Sequence, residues 1–214
     1  MKIISLKTAL DQTAIKTAVQ VLNDGGVIAY PTETTYGLGC DPRNAKAVAR
    51  IYKLKGRERK KPFLLVASSV AQVRRVAKLH AISYELQARY WPGPLTLVLP
   101  VKRMLVHRAR LHKSITPHDE IAVRVSSSPF VRALCKAYGF PIVSTSANKT
   151  GESECRSRRA VRRVFGKVKT QTLVPDLIID AGALPRRKPS TVVRIKANGT
   201  IEVLRQGAIK IHET

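Results

Sequence analysis

Three short polar segments carry the residue types that could hold an anionic, nucleotide-like substrate. The first, PTETTYGLG at 31–39, follows an apolar run and supplies threonine hydroxyls, one carboxylate and glycines. The second, Lys55-Gly56-Arg57 with Lys60, Lys61 and Pro62, is a compact cationic loop suited to phosphate or carboxylate groups. The third, PIVSTSANKTG at 141–151, ends an apolar run in hydroxyls and an asparagine. Because ligands of open α/β sheets bind where strands end, we interpret the three segments as one site.

Such a site favours transfer chemistry that works by positioning and charge stabilisation, since it offers no obvious pair of nucleophile and base. The sequence has no GxxxxGK[ST] loop, no GxGxxG after the first strand, no HExxH and no GxSxG. The histidines His107, His112 and His118 have no ligand spacing, so we predict no protein metal site. Taken alone, each segment is also compatible with an ordinary turn or a solvated basic loop.

The elements that must position these segments alternate between helix and strand patterns. Apolar spacing after Asp11 predicts a helix that ends at Gly25-Gly26. Further helices are predicted at 47–52, 70–79, 82–90, 130–138 and 157–165. Strands are predicted at 27–31, 63–67, 95–99, 121–125, 141–144, 177–180, 190–195 and 201–206, with a loop over 32–42. This alternation predicts one α/β domain over 1–214, with helices packed on a twisted sheet that the late strands make mixed.

Charge is the feature that departs most from an ordinary composition. The 39 Lys and Arg against 14 Asp and Glu give a net charge of +25, which predicts a polyanionic partner. The excess is clustered at 50–61, 102–113 and 156–169. Aromatic residues make up only 5% of the chain, so contact with a nucleic-acid backbone is expected rather than base stacking. Solvated faces decorated with basic residues remain the alternative.

The cysteines and the lengths of the apolar runs indicate the cellular compartment in which the protein acts. Cys40, Cys135 and Cys155 are scattered and odd in number, which fits a reducing environment and no disulfide framework. No apolar run reaches the ~20 residues that a membrane helix needs. We therefore expect a cytoplasmic protein without a membrane segment.

Six segments occur in the order found in the YrdC family, the threonylcarbamoyl-AMP synthases. They are PTETTYGLG, Lys55-x-Arg57, WPGPLTLVL, IAVRV, STSAN and STVV. The chain resembles the short bacterial form of that family from about Gly25 to Gly207. The resemblance implies a twisted, mixed, open α/β sheet flanked by helices, with a large positively charged cavity.

The resemblance also implies roles for individual residues. Those that would bind the substrate threonine are Thr32, Arg124, Ser144 and Ser190, with Arg124 on its carboxylate. Those that would be catalytic are Lys55, Arg57, Ser146 and Asn148. The same four would bind ATP together with Lys61 and Arg205.

The reaction implied is that of an L-threonylcarbamoyladenylate synthase, a nucleotidyltransferase. The threonine amine adds to bicarbonate-derived carbon, and the carbamate displaces pyrophosphate from the α-phosphate of ATP. Mg²⁺ is expected because it neutralises the triphosphate. The product would pass to a tRNA-modification transferase complex that modifies the adenosine beside the anticodon.

Two positions depart from the family pattern: Arg194 follows STVV where an aspartate is common, and Ser126 stands where a proline is frequent. The main alternative function is a basic RNA-binding accessory protein in ribosome or tRNA maturation, without synthase activity. A carbamoyl-transfer domain of hydrogenase maturation proteins is disfavoured, because the accompanying acylphosphatase-like and zinc-binding modules are not found in these 214 residues.

Overall fold

The computed structural model describes residues 1–58, 61–79, 81–101, 104, 111–166, 173–196 and 198–212. The strands are β1 (Lys2–Ser5), β2 (Ile28–Pro31), β3 (Tyr36–Gly39), β4 (Leu64–Ala67), β5 (Leu95–Pro100), β6 (Glu120–Val125), β7 (Ile142–Ser146), β8 (Leu177–Asp180), β9 (Thr191–Ile195) and β10 (Ile201–Arg205). The α-helices are α1 (Gln12–Asn23), α2 (Ala45–Lys55), α3 (Val70–Val73), α4 (Ala81–Tyr90), α5 (Pro129–Tyr138) and α6 (Arg158–Phe165). Two 3₁₀ turns, Lys113–Ile115 and Pro117–Asp119, precede β6.

Within the described residues the strands form one ten-stranded sheet in the order β1-β8-β2-β3-β7-β4-β6-β5-β9-β10. Four neighbouring pairs run parallel, namely β1/β8, β8/β2, β4/β6 and β5/β9, and the others are antiparallel. The prediction of a mixed, open α/β sheet is confirmed.

Two apolar clusters cover the two faces of the sheet. Leu65 and Val66 are neighbours on β4 but pack into different clusters, as alternate residues of a strand must. Val66 shares its cluster with α1 and α5, which pack over β2 and β8. The other cluster contains Val48 and Ile51 of α2. Helices α1 and α5 thus leave the β6-β5-β9 part of their own face uncovered.

Side-chain caps fix the ends of the helices that lead to the site. Asp11 accepts a hydrogen bond from the Ala14 amide at the start of α1, and Asn44 accepts one from Ala47 at the start of α2. Helix α2 ends at Gly56, which has a φ of 57°. Lys55 is therefore the last residue of a helix, and the prediction that it lies in a loop was wrong.

The prediction of a loop over 32–42 was also wrong in part, because Tyr36–Gly39 forms β3. This strand pairs antiparallel with both β2 and β7. Its glycines allow the close approach of neighbouring strands: a Cβ on Gly39 would lie 2.8 Å from the Tyr30 ring and 3.0 Å from the Val143 carbonyl oxygen. The remaining residues, 32–35, make the turn of a β2-β3 hairpin.

The predicted helix at 70–79 is shorter than expected. Only Val70–Val73 is helical, and the chain then turns so that Ala77 pairs with Val101 and the Lys78 amide donates to the Pro100 carbonyl. Pairing with the end of β5 has replaced the last helical turns. The basic cluster at 102–113 lies mostly outside the described residues. Within the described ranges, every helix falls short of the length and apolarity that a bilayer crossing requires.

Candidate active site

A cavity of about 320 Å³ opens on the part of the sheet that α1 and α5 leave uncovered. Its floor includes Leu64, Ala122 and Arg124, which point to the same face as Val66. Its guanidinium groups belong to Arg57, Arg124 and Arg205. The only carboxylate among the described lining residues belongs to Glu154. This balance of charge favours an anionic ligand.

The turn at 32–35 forms one wall of the cavity. The Thr32 hydroxyl donates to the Thr35 carbonyl at 2.6 Å and accepts from the amides of Thr34 and Thr35, both at 3.2 Å. The Thr35 hydroxyl donates to the Cys155 carbonyl. Because its hydroxyl is used within the turn, Thr32 shapes the wall of the cavity.

Arg124 lies on the cavity floor in a buried ion pair. Its Nη1 is 2.8 Å from Glu33 Oε1, and the two side chains are only 6% and 7% exposed. The contact is an ion pair by distance, although its angles are not those of a hydrogen bond. The Ser126 hydroxyl donates to the other Glu33 oxygen at 2.6 Å. Arg124 Nε is buried and has no hydrogen-bond partner among the described residues.

Ser144 lies on β7 and faces the cavity. Its oxygen accepts a 2.8 Å hydrogen bond from the Tyr30 hydroxyl. Burial raises the pKa of Tyr30, so this phenol stays protonated and continues to donate. The Ser144 proton is therefore left to donate to a ligand in the cavity.

Ser190 and Arg205 form the far wall of the cavity. Arg205 Nη2 donates to the Ser190 carbonyl at 2.8 Å and to the Ser190 hydroxyl oxygen at 3.1 Å. The Ser190 hydroxyl also lies 3.0 Å from that of Thr96 on β5. Desolvation, followed by repulsion from Arg124, lowers the pKa of Arg205. A bound anion between these two arginines would relieve that repulsion.

Lys55 is buried behind the cavity wall and does not line the cavity. Its ammonium donates to the Ser146 carbonyl at 2.6 Å and to the carbonyl and side-chain oxygens of Asn148, both at 3.0 Å. An ammonium has three protons, so these acceptors use all of them. Burial, followed by repulsion from Arg57, lowers the pKa of Lys55 to about 8. Lys55 holds the loop after β7 in place.

Ser146 lines the cavity, and its backbone carbonyl accepts the hydrogen bond from Lys55. Its hydroxyl donates to Asn148 Oδ1 at 2.7 Å, and Asn148 Nδ2 donates to the Glu152 carbonyl at 2.7 Å. The amide of Thr150 donates to the Lys55 carbonyl. This closed network joins the end of α2 to the end of β7.

Arg57 lines the cavity beside Phe63, with its guanidinium carbon 5.3 Å from the ring centroid. Its Nε and Nη2 donate to the carbonyls of Lys61 and Pro62. Among the described residues no acceptor is bonded to its Nη1, which stays available. The Lys61 side chain is 62% exposed and does not line the cavity.

The structure therefore sorts the predicted residues into three groups. Lys55 and Asn148 lie behind the wall, and Lys61 lies outside. The side chains that line the cavity are Thr32, Arg57, Arg124, Ser144, Ser146, Ser190 and Arg205.

Sequence reasoning missed the partners that orient these residues. Thr96 is a polar residue within the apolar strand LTLVLP, and that interruption was an available signal. Glu33 was seen only as one carboxylate of the polar loop. Nothing in the sequence marked Tyr30 or Glu154 as part of the site.

A resident metal ion does not fit the described residues. They contain no group of three His, Cys, Asp or Glu side chains that could bind one. Glu33 is occupied by Arg124 and Ser126, which leaves Glu154 as the carboxylate that faces the cavity.

The chain is similar to known proteins over most of its length. The Sua5/YciO/YrdC family, described as "Telomere recombination", matches residues 20–207. A threonylcarbamoyl-AMP synthase of Marinobacter nauticus is 46% identical over 180 residues, which are 83% of this chain and 89% of that protein.

Two solved structures share the fold. Sua5 of P. abyssi in complex with L-threonine superimposes with a TM-score of 0.83 at 31% identity, over 97% of this chain. The chain spans only 58% of that protein. YciO of E. coli has a TM-score of 0.77 at 28% identity, over 96% of this chain and 94% of its own. The extent of these matches shows that the chain belongs to the Sua5/YciO/YrdC family.

Proposed function

We propose that the chain is an L-threonylcarbamoyladenylate synthase, which makes threonylcarbamoyl-AMP and pyrophosphate from L-threonine, bicarbonate and ATP. The observation that carries the proposal is the cavity lined by Arg57, Arg124 and Arg205, in which Glu154 is the only carboxylate among the described lining residues. A relative at 46% identity is a threonylcarbamoyl-AMP synthase, and a solved relative was crystallised with L-threonine.

The threonine half of the site is assigned to the turn and to the serines. Arg124 binds the carboxylate of threonine, because a guanidinium that lines the cavity matches the planar shape and the charge of a carboxylate. Ser144 donates its free proton to the amino acid, and Ser190 offers a second hydroxyl on the opposite side. Thr32 acts through the shape of its turn.

The nucleotide half is assigned to the arginines at the other edge of the cavity. Arg57 Nη1 and Arg205 face the phosphates, where they stabilise the charge that develops on the pyrophosphate. Lys55 and Asn148 hold Ser146 in the wall. Lys61 lies outside the lining, so we give it no contact with the bound nucleotide. Mg²⁺ arrives as part of the nucleotide substrate and neutralises the triphosphate.

The reaction balances without a protein nucleophile. The threonine nitrogen forms a bond to the bicarbonate carbon with loss of water. A carbamate oxygen then attacks the α-phosphorus. The bond between the α-phosphorus and the oxygen that bridges it to the β-phosphate breaks, which releases pyrophosphate. The labile mixed anhydride is passed to a transferase complex that acts on tRNA. We therefore expect the protein to act in the cytoplasm.

The experiment is release of pyrophosphate from ATP and bicarbonate, with and without L-threonine. We expect release that depends on threonine in the wild type and is abolished in Lys55→Ala. Arg89→Gln, an exposed arginine of α4, is the matched control and should behave as the wild type. Absence of release under every condition would reject the synthase assignment.

A second candidate is the RNA-binding accessory protein, which the net charge of +25 favours. It predicts salt-sensitive RNA binding by a protein that releases no pyrophosphate with threonine. The same assay, run beside an RNA-binding measurement, separates the two candidates.

A further inference from the structure

Tyr30 is a buried phenol that reaches the edge of the substrate cavity across a neighbouring strand. In the sheet, β3 lies between β2, which carries Tyr30, and β7, which carries Ser144. The Tyr30 side chain is fully buried, and its hydroxyl lies 2.8 Å from the Ser144 oxygen. Among the described residues that line the cavity, Ser144 is present and Tyr30 is not. Tyr30 therefore acts on the cavity through Ser144.

Two glycines of β3 leave room for the Tyr30 ring. Gly37 pairs directly with Tyr30, and Gly39 follows on the same face of the strand. A Cβ on Gly39 would lie 2.8 Å from a carbon of the Tyr30 ring, and a Cβ on Gly37 would lie 3.5 Å from the carbon that bears the hydroxyl. Because glycine has no side chain, the ring can cross β3 over bare backbone. The sequence of β3 thus permits the contact between Tyr30 and Ser144.

The burial of the phenol fixes the direction of this hydrogen bond. Among the described residues, Ser144 is the only acceptor bonded to the Tyr30 hydroxyl. The reverse arrangement would leave a buried O–H donor without an acceptor, which is unfavourable. Burial also raises the pKa of Tyr30, so the phenol keeps its proton at neutral pH. One lone pair of Ser144 is therefore occupied, and the Ser144 proton turns toward the cavity.

The chemistry of threonine indicates which of its atoms receives the Ser144 proton. In the proposed function, Arg124 binds the carboxylate with its fork of donors. The amine is unsuitable as an acceptor: when protonated it has no lone pair, and when neutral it needs its lone pair to attack the bicarbonate carbon. The oxygen of the side-chain hydroxyl is the acceptor that remains.

We propose that Tyr30 is a positioning residue, which holds the Ser144 proton toward the side-chain hydroxyl of the amino-acid substrate, and that this pair selects hydroxy amino acids. A site built to bond a substrate hydroxyl rejects the analogue that lacks it, because the polar group of the site is then left unpaired. Without the phenol, the Ser144 hydroxyl is free to rotate, and the oriented donor is lost. The inference rests on the threonine half of the proposed function, but it concerns binding and does not require the reaction to occur.

The test is calorimetric binding of the full chain to L-threonine and to L-2-aminobutyrate, which is threonine without its hydroxyl. The variants are Tyr30→Phe, Ser144→Ala and the double variant. From the net contribution of one hydrogen bond, we expect threonine to bind about fivefold more weakly to Tyr30→Phe and about tenfold more weakly to Ser144→Ala. Binding of L-2-aminobutyrate should change by less than about twofold. The double variant should match Ser144→Ala, because Tyr30 acts through Ser144.

Tyr138→Phe is the matched control, since it removes a phenol hydroxyl that bonds to Arg43 and lies outside the described lining of the cavity. It should bind both amino acids as the wild type does. An equal loss of affinity for both amino acids in Tyr30→Phe would mean that Tyr30 serves the fold alone.

Three further results would overturn the inference: a wild type that does not bind threonine more tightly than L-2-aminobutyrate, an unchanged affinity of Ser144→Ala for threonine, or additive losses in the double variant. Failure of the synthase assignment is distinguishable from these results. Hydroxyl-dependent binding that Tyr30→Phe weakens, in a chain that releases no pyrophosphate, would reject the synthase and support the inference.

Discussion

The substrate cavity and the exposed side of helix α6 both concentrate positive charge, but they hold it in opposite ways. The exposed side of α6 carries Arg158, Arg159, Arg162 and Arg163. In the cavity, Arg124 is buried against Glu33, and Arg205 is bonded to Ser190. On α6, exposed arginines lie side by side, and the described residues provide one carboxylate, Asp180. The charge in the cavity is fixed by buried partners, whereas most of the charge on α6 is left exposed.

The difference predicts where substitutions will affect stability. Removing one member of a buried charge network leaves its partner without compensation, which is costly. Removing one of several repelling surface charges costs the fold nothing.

The largest effect is expected for Arg124→Gln, which leaves the Glu33 carboxylate buried with Ser126 as its remaining partner. We expect a loss of about 3–5 kcal/mol in the free energy of unfolding, measured by urea denaturation. Threonine-dependent pyrophosphate release should fall at least about a hundredfold, in line with a lost buried charge contact of that size.

The double variant Arg124→Gln/Glu33→Gln separates binding from folding. It removes both charges, so most of the lost stability should return while activity stays low. Recovery of pyrophosphate release in the double variant would show that Arg124 serves the fold alone.

The next effect in size is expected for Lys55→Met, which removes the ammonium from the three oxygen acceptors of Ser146 and Asn148. Unpaired buried acceptors should cost about 2–3 kcal/mol in the free energy of unfolding. Lys53→Met, at an exposed position on the same helix, is the control. If both variants unfold at the same urea concentration, Lys55 does not hold the loop.

A smaller effect is expected for Ser126→Ala, which removes the 2.6 Å hydrogen bond to Glu33 but keeps the ion pair with Arg124. The loss of stability should be about 1–2 kcal/mol. Because Glu33 then restrains Arg124 less, KM for threonine should rise several-fold while KM for ATP stays constant. An equal rise in KM for threonine and in KM for ATP would contradict a role of Ser126 that is confined to the threonine half of the site.

The smallest effect is expected on α6. The free energy of unfolding of Arg159→Gln/Arg162→Gln/Arg163→Gln should equal that of the wild type or exceed it by up to about 0.5 kcal/mol. Thermal and urea denaturation both measure this. Destabilisation by more than about 1 kcal/mol, the contribution of a typical hydrogen bond, would mean that the arginines serve the fold.

Much of the fold could be predicted from local patterns. The apolar spacing of α1 and its Asp11 cap were readable, as were the apolar strands. Strand β3 was not, because YGLG has no apolar run, and its pairing depends on β2 and β7. The end of α3 depends in the same way on the pairing of Ala77 with Val101.

The residue types of the site could be predicted, but their arrangement could not. A lysine in a basic segment is normally exposed. Lys55 is nevertheless buried, and it donates to acceptors that lie 91 and 93 positions away in the sequence. The partnership of Ser126 with Glu33 spans 93 positions and leaves no local signal. The departure at Arg194 is accommodated by ion pairs with Glu202 on the neighbouring strand β10 and with Glu120 on β6, which lies beyond β5 in the sheet.

The most direct test of the account is mass spectrometry of the product formed from ATP, L-threonine and isotopically labelled bicarbonate. The account predicts an adduct of threonine and AMP that carries the labelled carbon, formed by the wild type and Arg89→Gln but not by Arg124→Gln/Glu33→Gln. Formation of the adduct by the double variant, or its absence from the wild type, would contradict the assignment of the cavity.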